Sequence, residues 1–187
     1  TLFSAMIDDW RETWGYNFPF YYAQLAPFPA EGTLGIREAQ RKTLESTENT
    51  GMAVLMDIGE EDDIHPHNKQ DVGKRLALLA LDKQYGFNYV SSGPRYVSHQ
   101  AKGNYLYVDF ESVGSGLDFI GGESGFEISG KDNVFYPATP KIISNRIRLF
   151  SRDVKRPINV RYGWKNWTVG TLFNKEGLPA SSFNSNL

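Results

Sequence analysis

Apolar residues keep a helical period up to Gly86 and lose it for the rest of the chain. No other feature constrains the fold as much, because it separates a helix-and-strand half from a half without helix signals. In the first half Leu2, Phe3, Met6, Ile7, Trp10 and Trp14 share one helical stripe, which Gly15 ends. Residues 36–46 read as a second helix with a thin apolar stripe. Residues 68–85 read as a third, with Val72, Leu76, Leu79 and Lys83 on one stripe, Leu78 and Leu81 widening it, and Gly86 as its stop. Between the helices lie residues 18–25, with Pro19 near the start, and residues 51–57. Both runs are continuously apolar rather than alternating, as in strands buried on both faces. The order helix–strand–helix–strand–helix then predicts an α/β arrangement, a parallel sheet covered by helices.

Beyond Gly86, Gly, Pro, Ser and Asn punctuate short β-type runs at 105–110, 125–128, 146–150 and 159–162. Turn signals lie between them, including Lys102-Gly103-Asn104 and Lys131-Asp132-Asn133. This half is predicted to be antiparallel and β-rich, sandwich-like in architecture. The boundary falls within 86–92, which divides the chain into an α/β portion, residues 1–88, and a β-rich domain, residues 89–187. Two parallel strands do not bury themselves, since an open α/β sheet usually has about five or more. Residues 1–88 therefore read as the C-terminal part of a larger α/β domain. A missing N-terminal portion, or another copy of the chain, is expected to cover the exposed sheet.

Charge and composition narrow the function. The 187 residues carry 20 Lys and Arg against 22 Asp and Glu, a net charge of −2 without a basic footprint for nucleic acid or an anionic membrane. No apolar run approaches the roughly 20 residues of a membrane helix, and no signal peptide opens the chain. Cysteine is absent, which excludes disulfides, thiolate metal clusters and a Cys nucleophile. No cofactor is expected. The 14% aromatic content suits a packed β-rich protein and equally a sugar-binding surface, and Trp164 and Trp167 fit either.

The candidate chemistry lies just after the second apolar run. His65 and His67 sit in Asp57-Ile58-Gly59-Glu60-Glu61-Asp62-Asp63-Ile64-His65-Pro66-His67-Asn68. A loop from the carboxyl end of a buried strand into a helix is where α/β enzymes place catalytic groups. A His base needs a carboxylate on Nδ1 to set its tautomer while Nε2 takes a proton. Asp62 stands three residues before His65 and Asp63 two before it. Pro66 biases His65 toward extended backbone, and Asn68 is placed to cap the following helix. Two other readings stand beside this one: a solvated acidic loop, or a metal site at His65 and His67. The second lacks a defined third ligand, so no metal is expected. His99 reads as a surface residue. The Gly-rich stretch 121–125 precedes a β-run rather than a helix, so it is a loop and not a phosphate cradle. Asn166-Trp167-Thr168 fits a glycosylation acceptor.

Longer stretches resemble the sialate O-acetylesterase family. They are Phe3-Ser4-Ala5-Met6-Ile7-Asp8-Asp9-Trp10-Arg11 with Trp14-Gly15, then Phe18-Pro19-Phe20-Tyr21-Tyr22-Ala23-Gln24-Leu25-Ala26-Pro27, Ile36-Arg37-Glu38-Ala39-Gln40, and Asp63-Ile64-His65-Pro66-His67-Asn68-Lys69. Arg161-Tyr162-Gly163-Trp164 and residues 172–181 resemble the family's closing signature, so the likeness runs to about Phe183. Within the broader SGNH (GDSL-like) hydrolases, Asp62-x-x-His65 matches the block that supplies acid and base.

The resemblance implies a serine esterase that removes O-acetyl groups from sialic acid. An upstream Ser attacks the ester, His65 activates it, and Asp62 is the preferred partner of His65. Asp63 is the reserve, because members resembling this one vary at the Asp62 position. The family places its Ser and oxyanion blocks before the segment seen here, and Ser4, Ser46, Ser91, Ser92 and Ser124 lie in no nucleophile context. The chain is thus expected to be a C-terminal portion, inactive alone, from a periplasmic or secreted protein. Arg37 is placed on the rim near His65, where a guanidinium matches the carboxylate of sialic acid; an ion pair to Glu38 or a helix-surface position is its other reading. An acetylxylan-type or other carbohydrate acetylesterase keeps the mechanism and changes the sugar. A carbohydrate-binding or structural β-module has no chemistry at all.

Overall fold

The structure, a computed structural model, describes residues 2–187. It is a mixed α/β protein with few helices and several antiparallel sheets. The helices are α1 (Leu2–Trp14), α2 (Thr33–Ser46) and α3 (Lys69–Lys83). They alternate with β1 (Phe20–Ala23) and β2 (Thr50–Ala53), which pair in parallel with Phe20 opposite Thr50 and Ala23 opposite Ala53. Helix α1 stops where Gly15 adopts φ 77°, a left-handed conformation that a residue with a Cβ reaches only with strain. The side chain of Asn68 accepts from Asp71 N–H at 3.1 Å and caps α3.

Both strands are four residues long, shorter than the apolar runs that hold them. Gln24 N–H still donates to the Ala53 carbonyl at 2.9 Å, and beyond that bond side chains take over the backbone groups. Leu25 N–H donates to Gln40 Oε1 at 2.8 Å, and the Val54 carbonyl accepts from Arg75 at 2.6 Å. The α1 stripe is also less enclosed than its period predicts. Ile7 is buried, whereas Trp10 is 46% and Trp14 68% exposed. Phe3 and Trp10 pack on the ring of Phe20, and Trp14 on Phe18.

The remainder is β3 (Arg95–Lys102), β4 (Tyr105–Glu111), β5 (Leu117–Phe119), β6 (Phe126–Ser129), β7 (Phe135–Pro137), β8 (Thr139–Ile143), β9 (Arg146–Phe150), β10 (Asn159–Tyr162), β11 (Leu172–Asn174) and β12 (Phe183–Asn184). Two four-stranded antiparallel sheets, ordered β3-β4-β9-β8 and β12-β10-β6-β7, are accompanied by a separate antiparallel β5–β11 pair. Burial alternates along β4, β9 and β10, as strands with one inward face require. Leu106, Val108, Ile147 and Leu149 from one sheet meet Phe126, Ile128, Val160 and Tyr162 from the other in a single core. The four predicted β-runs are all strands. The period did not reveal β3, because only Arg95, Tyr96 and His99 of its residues are even half-buried.

Candidate active site

The loop between β2 and α3 is held at both ends before any chemistry is considered. Ile58 is buried beside Ala26 and Leu55. A Cβ on Gly59 would lie 2.4 Å from the Pro27 carbonyl oxygen, so only glycine permits this approach. Asp57 receives two hydrogen bonds from Arg75 of α3, at 2.7 and 2.6 Å, with both side chains largely enclosed. At the far end stands the Asn68 cap. Residues 59–67 are thus a short excursion between two anchors at the carboxyl end of a parallel strand.

Within it His65 is exposed, and its backbone N–H donates to Asp63 Oδ1 at 2.7 Å. Its ring has no hydrogen-bond partner among the described residues. Asp62 is exposed and has no hydrogen bond among the described residues, and Asp63 is half-buried. The structure therefore brings all three candidates into one loop but places neither carboxylate on the imidazole. The ion pair it builds instead is Glu60 with His67. Glu60 Oε1 accepts the His67 backbone N–H and Oε2 meets His67 Nδ1, both at 2.7 Å. Those contacts, the backbone bond first and the side-chain bond second, hold the Glu60 carboxyl below its ordinary range. The ring contact with Glu60 raises the His67 pKa. Sequence spacing pointed at His67 only as a metal ligand. Among the described residues no three His, Cys, Asp or Glu side chains group to hold a metal ion.

No protein-family model matches the chain. A solved carbohydrate acetylesterase from Xanthomonas citri is 41% identical, covers 98% of this chain and superposes with a TM-score of 0.92, the match taking up 45% of that chain. The sialate O-acetylesterase of Pongo abelii is 29% identical over 88% of this chain and 37% of its own length. That of Mus musculus is 29% identical over 50% of this chain and 21% of its own. The chain is thus similar to sialate O-acetylesterases and to a carbohydrate acetylesterase. It spans less than half the length of each of these relatives.

Arg37, in a stretch that resembles the sialate O-acetylesterases and expected on the rim near His65, is tied to the β-rich half of the chain. It is fully buried, and its guanidinium donates to the carbonyls of Lys165 and Asn166, the latter at 2.9 Å, and reaches Ser182 Oγ at 3.5 Å. Each of its three guanidinium nitrogens already has a protein partner. Burial lowers its pKa to about 10, which leaves it charged at neutral pH. Glu38, the alternative partner, is paired with Arg41 instead. Neighbouring contacts tie the same junction: Gln24 Nε2 donates to Ser181 Oγ at 2.7 Å, and Leu34 N–H to Asn166 Oδ1 at 3.1 Å. The second of these occupies the side chain of the glycosylation-type triplet. His99 is half-buried rather than a free surface residue. Its Nε2 lies 2.8 Å from the Ile158 carbonyl and must donate there, and in the neutral ring Nδ1 then accepts from the Tyr96 hydroxyl at 2.7 Å.

Proposed function

We propose that the chain is the C-terminal part of an SGNH-type serine carbohydrate esterase that removes O-acetyl groups from sialic acid. One observation carries this reading: the match to an acetylesterase runs through 98% of the chain at 41% identity, and includes the strand-end loop that bears His65. In the intact protein, His65 Nε2 takes the proton of a Ser outside this chain, then returns it to the leaving alkoxide. That requires a proton on Nδ1 and a carboxylate to hold it. Asp63 already spends one oxygen on the His65 backbone, and the carboxylate of Asp62 is unengaged, which favours Asp62 as the ring's partner. Arg37 acts through its burial, as a brace between α2 and residues 165–166. Residues 1–88 complete their sheet with strands from the rest of the protein, in keeping with the two-stranded β1–β2 pair and the exposed Trp10 and Trp14. The relative from Xanthomonas citri favours a second reading, in which another acetylated carbohydrate is the substrate.

Acetate release by the full-length protein from O-acetylated sialic acid and from acetylated xylan tests both. Release from the sialic acid alone is expected, and His65→Ala should lower kcat about 10³-fold or more. Asp62→Asn should cost about 10-fold to 10⁴-fold. A damaging Asp63→Asn beside a silent Asp62→Asn would exchange their roles. No release from any acetyl ester would end the esterase reading.

A further inference from the structure

The two His residues of the loop are held in unlike ways, and the difference has a consequence for His65. Between Glu60 and Asn68 the segment His65-Pro66-His67 has two backbone N–H groups, because Pro66 has none. A loop carboxylate takes each of them: Asp63 binds His65 N–H and Glu60 binds His67 N–H, both at 2.7 Å. Glu60 also grips the His67 ring, so one side chain closes an eight-residue arc with two contacts on the same residue. His65 lies inside that arc, exposed and with no hydrogen bond to its ring among the described residues. Its hydrogen-bonded anchor is therefore its backbone N–H. The outer foot of the arc, Gly59, is fixed against Pro27.

We infer that Glu60 is a positioning residue for His65, acting through His67 as a strut across the loop. This rests on His65 being the base. A base displaced by about 1 Å can lose on the order of 100-fold in rate, so a strut two residues away has leverage over kcat without touching substrate. The charged groups that face His67 are Glu60, Asp63 and Lys69. Asp63 favours the protonated imidazole as Glu60 does, and Lys69 opposes it. The arc is thus held most firmly when Glu60 is ionised. A neutral His67 still donates from Nδ1 in one tautomer, so the strut survives where His65 must be unprotonated.

The test uses full-length protein and p-nitrophenyl acetate, a substrate too small to depend on sugar contacts. Glu60→Ala should lower kcat about 10-fold to 100-fold with KM within about twofold. Glu60→Gln keeps an acceptor for the His67 N–H and a donor for a neutral ring, so it should restore most of that loss. His67→Ala keeps the backbone contact alone and should fall between them. Hydrogen exchange should quicken in residues 60–68 of Glu60→Ala and stay unchanged in β4 and β9. Glu60→Ala with parental kcat, while His65→Ala is inactive, overturns the strut and leaves the function intact. An active His65→Ala overturns the function itself. A kcat loss in Glu60→Ala that Glu60→Gln does not rescue, with exchange quickened throughout, also overturns the strut, because the effect is then on folding.

Discussion

Replacing Arg37 with Met removes every donor from a fully buried position while keeping much of the side-chain volume. The Asn166 carbonyl keeps Phe28 N–H as a partner at 3.1 Å, so one charge-assisted bond is lost there but no acceptor is orphaned. The Lys165 carbonyl loses the guanidinium outright. An orphaned acceptor costs about 1–3 kcal/mol and a lost hydrogen bond about 1 kcal/mol. The Ser182 contact, 3.5 Å long, adds little. Opposing these losses, the variant no longer buries a charge, whose desolvation shows in the pKa of about 10. The net loss is about 2–3 kcal/mol, a sizeable part of ordinary domain stability. With a denaturant slope of about 2 kcal/mol/M, the urea midpoint of the full-length protein, followed by circular dichroism, should drop by about 1 M. Arg37→Lys should lose less, since one ammonium reaches one carbonyl. KM for acetylated sialic acid and for p-nitrophenyl acetate should move together in both variants. An unchanged midpoint with KM raised for the sialic acid alone would refute the brace and restore the carboxylate contact.

Two further outcomes follow from the loop. Gly59→Ala drives a Cβ to 2.4 Å from the Pro27 carbonyl, so the backbone must move; thermal unfolding should report a loss of about 1–3 kcal/mol, and no loss would mean that the approach is not tight. The Glu60–His67 contribution is present above pH 4.5 and below pH 6.5, the ordinary values of the two groups. It is lost as pH falls through the lowered Glu60 pKa and as it rises through the raised His67 pKa. An NMR titration of His67 should therefore have its midpoint above 6.5 and return toward it in Glu60→Gln; a midpoint at or below 6.5 in the parent refutes the pair.

Period located the three helices and four of the inward-facing strands, because a buried face repeats every 3.6 or 2 residues whatever it packs against, and continuous apolar runs located both parallel strands. It also located the loop after β2, since a buried strand that runs into a capped helix leaves few places for polar residues. Period could not reveal β3 or the short β12. Their hydrogen bonds come from neighbouring strands, and their own side chains show little one-sided pattern.

Which polar groups meet was decided by tertiary structure. Asp62 and Asp63 are nearest to His65 in sequence, yet the pair that forms is Glu60 with His67, seven residues apart, because the loop closes across its anchors at Asp57 and Asn68. The place of Arg37 after β1 predicts a rim position, and the fold buries it against acceptors 128 and 129 residues away. A local pattern records which face of an element is apolar. It holds no information about which distant carbonyls the fold will bring to a guanidinium, and burial of that charge is stable only where they arrive.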